Sequence, residues 1–137
     1  MFMIDTVSSA KRSHIMSLVK GKNTRPEMTV RRVLHAAGFR YRLHDNSLPG
    51  KPDIVFAKKR KVIFVHGCFW HRHVGCHLCR MPKTNQLFWS EKFEANVIRD
   101  SLNNNLLIAS GWSVLTVWEC EISDLEHLEK RLHDFLS

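Results

Sequence analysis

Residues with chemical potential crowd into the stretch from His66 to Cys79, where Cys68, Cys76 and Cys79 alternate with His66, His71, His73 and His77. Thiolates and neutral imidazoles are the donors that tetrahedral Zn2+ takes. Disulfides are disfavoured, because residues 1–14 lack the long apolar stretch of a secretory signal and a cytoplasmic location is expected. The fourth cysteine, Cys120, follows an apolar run at Trp112–Trp118 and supplies a distant ligand. Spacing leaves two sets open: Cys68, His73, Cys76 and Cys120, or an all-cysteine set that includes Cys79. Either closes the coordination sphere with protein donors, which makes the expected zinc structural. A catalytic zinc is the weaker reading, since there is neither an HExxH motif nor an H-x-E partner for Cys76-x2-Cys79.

A second centre begins at Leu48-Pro49-Gly50-Lys51-Pro52-Asp53, which places a carboxylate at the head of an apolar strand. Such an Asp is costly to bury unless it is paired or binds a metal; capping a turn is its ordinary alternative role. Mg2+ would be held there by one carboxylate, a backbone carbonyl and waters. His66 ends the adjacent apolar run, so strand pairing brings it near Asp53. If zinc takes His73, both His66 and His71 are left for proton transfer or phosphate contact.

Charge gives a first indication of the partner, with a generic solvated basic surface as its ordinary alternative. The chain carries a formal +8, unevenly spread: residues 1–90 hold 17 Lys and Arg against 4 Asp and Glu, whereas the remainder holds 4 against 9. A polyanion is expected at the basic part, and nucleic acid leads. A membrane surface is not favoured, because no basic amphipathic helix with a bulky apolar face stands out. Phe69-Trp70 and Phe88-Trp89 sit in polar surroundings; they either pack a core or form a wedge that unstacks a base step.

The elements that must position these groups follow from pattern. With 137 residues, 44% of them hydrophobic, and no repeat, a single domain over 1–137 is expected. Residues 8–20 read as a short helix ended by Gly21, presenting Met16 and Val19. Thr24 and Glu27 stand at capping-box spacing before a helix that buries Met28, Val33, Leu34 and Ala37 and stops at Gly38. Phe39–Leu43 alternates as a strand, and Ile54–Ala57 and Val62–Val65 form a hairpin around the basic turn 58–61. Residues 67–88 read as a loop. A helix over Trp89–Ala109 with Phe93, Val97, Leu102 and Leu106 inward, a strand over Trp112–Trp118, and a helix over Ser123–Leu136 complete the chain. The last opens with Ser123 and Glu126 in capping register and buries Leu125, Leu128, Leu132 and Phe135. This order makes a mixed α/β sheet flanked by helices.

Together, Leu48–Asp53, Val62-Ile63-Phe64-Val65-His66-Gly67-Cys68-Phe69-Trp70-His71, Phe88-Trp89 and Trp118-Glu119-Cys120 resemble the very short patch repair (Vsr) endonuclease family over nearly the whole chain. The resemblance implies a restriction-endonuclease-like fold and a Mg2+-dependent nick 5′ to the thymine of a G·T mismatch left by deaminated 5-methylcytosine. It implies Asp53 as Mg2+ ligand with the backbone carbonyl of Val65, His71 as general base, His66 assisting at the phosphate, and Glu27 supporting the active-site water network. It assigns zinc to Cys68, His73, Cys76 and Cys120, leaving Cys79 spare. Phe69, Trp70 and Trp89 would form the wedge within a zinc and aromatic loop over 66–90, while Met16 and Val19 enter from a DNA-contacting helix over 1–22. Double-stranded mismatched DNA, MutL-type repair proteins and a monomeric state are implied with it. Val65 departs from the threonine of the better-known pattern, and Val65-His66-Gly67 replaces the acid-x-lysine of the wider nuclease fold, so a histidine must serve for the lysine. Val74-Gly75 also makes the step from His73 to Cys76 one residue longer than in the shortest family version. A zinc-stapled, non-catalytic module for distorted duplex is the rival reading, and a small-molecule zinc hydrolase would require an open zinc position.

Overall fold

The computed structural model describes residues 22–137; the expected helix over 8–20, with Met16 and Val19, lies outside them. The described elements are α1 (Arg25–Ala36), β1 (Arg42–Leu43), β2 (Ile54–Phe56), β3 (Lys61–His66), α2 (Gln86–Ala109), β4 (Ser113–Trp118), a 3-10 turn (Glu119–Ser123) and α3 (Leu125–Leu136). The sheet order is β1-β2-β3-β4. The first three strands pair antiparallel, whereas β4 runs parallel to β3 after the α2 crossover. The architecture is the mixed α/β sheet flanked by helices that the element order predicts.

Both faces of the central strands are covered, which explains why β2 and β3 read as continuous apolar runs. Ile54, Phe56 and Ile63 pack with Val30 and Leu34 of α1 and Leu128, Leu132 and Leu136 of α3, while Val55, Val62 and Phe64 pack on the other side with Leu107 of α2. The expected hairpin forms, with Ile54 paired to Ile63 and Phe56 to Lys61.

Several expectations are corrected. Only Arg42 and Leu43 pair within the predicted Phe39–Leu43 strand; Phe39 and Tyr41 instead set their rings edge-on to Phe56, at 6.2 and 5.9 Å. In α1 the inward residues are Glu27, Val30 and Leu34, while Met28 is half-buried and Ala37 exposed. Helix α2 starts at Gln86, three residues early, so Phe88 belongs to it rather than to the 67–88 loop. The cap of α3 is Asp124, whose carboxylate accepts from the His127 N–H at 3.1 Å. That helix buries Leu128, Leu132 and Leu136 and leaves Leu125 exposed.

The largest correction concerns α2. Val97, Leu102 and Leu106 are exposed, and the buried apolar residues are Trp89, Phe93 and Leu107. Helical spacing connects these three through Asn96, Asp100 and Asn103, each half-buried. The middle of the inward stripe is therefore polar, and a hydrophobic pattern selects the wrong face there.

Candidate active site and metal centre

Asp53 precedes β2, one step beyond the last hairpin pair, and its Oδ2 accepts the Val65 N–H at 2.7 Å. The Val65 side chain meanwhile packs against the core shared by α1 and α3. Next to it His66, at the C-terminal end of β3, is 7% exposed, and its ring stacks on His71 with centroids 3.8 Å apart and planes 9° from parallel. A turn held by the His71 N–H to Gly67 O bond, 3.1 Å, brings His71 back over the strand end. Its Nδ1 then meets Asp100 Oδ2 of α2 at 2.6 Å. Asp53, Val65, His66, His71 and Asp100 line one cavity of about 260 Å3, with Lys51 at its edge. Gly50 also borders it with φ +76°; a Cβ there would stand 3.0 Å from the Asn103 Cβ and 3.1 Å from the Phe64 ring. A glycine is thus required by both conformation and space.

Burial raises the Asp53 carboxyl to about 6, with the Glu27 charge adding to the rise and the Val65 N–H bond, His44 and His71 opposing it. Burial lowers His66 to about 4, helped by the neighbouring His71 and opposed by Asp100. His66 is therefore neutral near pH 7, and contributes an N–H or a lone pair rather than a positive charge.

Behind Asp53 lies Glu27, 1% exposed. Its N–H donates to the Thr24 cap at 3.3 Å, its Oε1 accepts the Asn23 N–H at 3.0 Å, and its Oε2 meets His44 Nε2 at 2.7 Å and Arg31 at 3.4 Å. The Glu27 carboxylate thus ends its reach beside the Asp53 carboxylate. One ligand atom from each of Glu27, His44 and Asp53 lies within 4.8 Å of the others. Two carboxylates and an imidazole are a donor set that fits a divalent cation.

The loop after β3 gathers Cys68, His73, Cys76 and Cys120, with ligand atoms within 4.8 Å of one another; Cys79 stays outside this group. His73 Nδ1 stands 3.6 Å from Cys68 Sγ and 3.4 Å from Cys120 Sγ. On a tetrahedral zinc with Zn–S of about 2.3 Å and Zn–N of about 2.0 Å, sulfur and nitrogen stand roughly 3.5 Å apart, so the donors fit. Burial pushes the Cys68 thiol up to about 12 and also raises Cys120, whereas the Leu78 N–H, 3.4 Å from Cys76 Sγ, lowers Cys76. Three neighbouring sulfurs, one buried, call for a cation to stabilise their thiolates. The His73 ring also stacks on Trp118, centroids 4.3 Å apart.

The aromatic residues occupy the far side of this loop. Trp89 is fully buried, Phe69 is 7% exposed, and both pack with Phe93, while Trp70 is half-buried against them. Phe69 meets Phe93 edge-on at 5.1 Å, and Asn96 donates to the Trp70 carbonyl at 3.1 Å. Among the described residues the Trp89 Nε1–H has no hydrogen-bond partner. Of the three expected wedge residues, two are therefore interior in this conformation and Trp70 alone has substantial exposure.

Asp100 and His44 escape sequence reasoning. An Asp in the middle of a helix is only a weak signal, and nothing local to His44 points at Glu27 seventeen residues earlier.

The family model described as DNA mismatch endonuclease Vsr matches residues 4–78. The chain is 52% identical over 134 residues to the Type II nicking enzyme V.XorIIP of Xanthomonas oryzae pv. oryzae, covering 98% of both chains. It is 43% identical to the Type II nicking enzyme V.NmeAIP of Neisseria meningitidis, over 96% of this chain and 93% of that one. It is 42% identical to the DNA mismatch endonuclease Vsr of Escherichia coli, over 92% of this chain and 80% of that one.

Proposed function

Since the chain belongs to the Vsr family of DNA mismatch endonucleases, we propose that it nicks one strand of duplex DNA 5′ to the thymine of a G·T mismatch, with Mg2+ at Asp53. The observation that carries this reading is the convergence of Asp53, His66 and the His71–Asp100 pair on one cavity. Its sheet-and-helix frame is read as restriction-endonuclease-like. MutL-type proteins are proposed as helpers in repair, by the family resemblance.

His71 is the general base. With Nδ1 bonded to Asp100, its Nε2 is the nitrogen left to take the proton from water attacking phosphorus. Asp100 fixes the ring and stabilises the imidazolium that forms. His66, neutral and stacked beneath His71, buttresses the ring and offers a hydrogen bond to the phosphate. Asp53 and the Val65 carbonyl would hold the Mg2+, which would supply charge neutralisation at the phosphate. Cleavage of the bond to the 3′ oxygen leaves a 3′-hydroxyl and a 5′-phosphate. Cys68, His73, Cys76 and Cys120 would hold a structural zinc that ties the loop to the end of β4; four protein donors leave no position for a zinc-bound substrate. The aromatic block at Phe69, Trp70 and Trp89 is read as the wedge, entering the duplex at Trp70 and advancing as its partners part. The basic residues up to position 90 favour the phosphate backbone beside it.

End-labelled duplexes, matched or with one G·T pair, in Mg2+ or EDTA, test this reading. A Mg2+-dependent cut beside the mismatched thymine, on that strand alone, is expected. Selective binding without cleavage in any flanking context would instead favour the non-catalytic module. Asp100→Asn is expected to slow nicking roughly 10²–10⁴-fold, by disfavouring the required tautomer, with mismatch affinity unchanged in a gel-shift titration.

A further inference from the structure

We propose that His44 is a third donor, with Glu27 and Asp53, to the active-site cation, and that its imidazole makes this centre favour a first-row transition ion over Mg2+. The inference rests on the reading that Asp53 holds the catalytic cation.

His44 adopts φ +48°, a left-handed conformation that side-chain-bearing residues seldom take. Such conformations persist where surrounding structure holds them, and they cluster at functional sites. Here the restraint is the His44 N–H, which donates to the Asp53 carbonyl at 3.0 Å. Backbone and side chain thus serve the same place: the main chain is tied to Asp53, and the ring lies 2.7 Å from Glu27 Oε2. Donors on a six-coordinate ion with bonds of about 2.1 Å stand roughly 3 Å apart when adjacent and about 4.2 Å when opposite. The 4.8 Å limit containing the Glu27, His44 and Asp53 donors leaves only a small adjustment to reach that geometry.

The donor chemistry sets the preference. Mg2+ keeps oxygen ligands and water, whereas imidazole strengthens binding of first-row transition ions. The two carboxylates also need a counter-charge. Arg31 gives Glu27 one at 3.4 Å, but it is shared with the Asn23 side chain, and no lysine or arginine bonds Asp53 among the described residues. A second cluster, His66, His71 and Asp100, has comparable spacing, so the test must separate the two.

Mn2+ is a suitable probe, because its hard character draws it least to the thiolate site, which is kept loaded with zinc. Mn2+ is titrated into the DNA-free protein and followed by electron paramagnetic resonance, with pulsed measurement of coupling to ligand 14N. Wild type is expected to hold one Mn2+ with 14N coupling and to release it to Mg2+ only at a large excess. His44→Asn, whose side chain tolerates the left-handed backbone, is expected to lose the coupling and bind Mn2+ at least about tenfold more weakly, the loss that even an outer partner of a metal site causes. Its Mg2+ affinity should change less. His44→Gln is the second replacement, and thermal melts establish that each variant is folded. No 14N coupling in wild type, or coupling and affinity unchanged in a folded His44 variant, overturns the assignment. If Asp53→Asn alone abolishes binding, His44 is excluded while the Asp53 reading stands; if neither substitution affects binding, both fail.

Discussion

Asp53→Asn is expected to abolish Mg2+-dependent nicking while making the free protein more stable. The loss follows from the charge: an amide cannot neutralise or anchor a divalent cation, and the several kcal/mol of metal assistance correspond to at least about a thousandfold in rate. Binding to mismatched duplex should survive, since the aromatic and basic surfaces are untouched. The gain in stability has the opposite physical origin. Burial raises the carboxyl from 3.8 to about 6. At 1.36 kcal/mol per pKa unit, the ionised Asp53 then costs the fold roughly 3 kcal/mol. Between those two values the folded chain retains a proton that the unfolded chain has released. Stability from this group is therefore greatest below pH 3.8, falls as pH rises through about 6, and stays low above it. The asparagine should melt above wild type at pH 7.5 without Mg2+, and the gap should narrow towards pH 5. Its Oδ1 is still able to accept the Val65 N–H. Added Mg2+ should raise the wild-type melting temperature and leave the variant unmoved. A variant that nicks normally would remove Asp53 from the chemistry.

Loss of the zinc proposed at Cys68, His73, Cys76 and Cys120 is expected to be the most destabilising single event. Residues 67–84 contain no helix or strand, and the sulfur of the fully buried Cys68 lies within 4.8 Å of that of Cys120, fifty-two residues away. Structural zinc in small domains contributes an apparent 10–16 kcal/mol at about pH 7, comparable to the roughly 5–15 kcal/mol that holds an entire domain folded. Cys68→Ser or chelation should therefore abolish nicking and lower the melting temperature by more than about 10 °C. The loop carries His71 and the aromatic block, so activity and mismatch affinity fall together. Cys79→Ser, outside the four-residue group, should retain one zinc per chain by elemental analysis and melt as wild type does. Equal zinc loss in the Cys68 and Cys79 variants would point to the all-cysteine set.

The frame of the proposed active site is legible where its residues are neighbours in the chain. A basic tetrapeptide between two apolar runs specifies a hairpin, and a hairpin necessarily brings Asp53 to the end of the strand that carries His66. Thr24 and Glu27 likewise announce a helix start. The inward face of α2 is not legible in the hydrophobic pattern, because its stripe is interrupted by Asn96, Asp100 and Asn103. Periodicity detects burial of apolar atoms, and the middle of α2 turns towards a polar cavity instead of a core.

The hairpin, the start of α1, the basic bias of the first ninety residues and the local run of candidate donors follow from the sequence alone, because each depends on residues close together in the chain or on composition. Tertiary packing brings Asp100 to His71 across 29 positions, turns His44 onto Glu27 across 17, and places His73 rather than Cys79 beside Cys68, Cys76 and Cys120. It also decided that Trp89 is interior while Trp70 is partly open. These relations depend on the packing of α1, α2 and the end of β4 against the strands, and distances across separate elements are set by packing rather than by any local pattern.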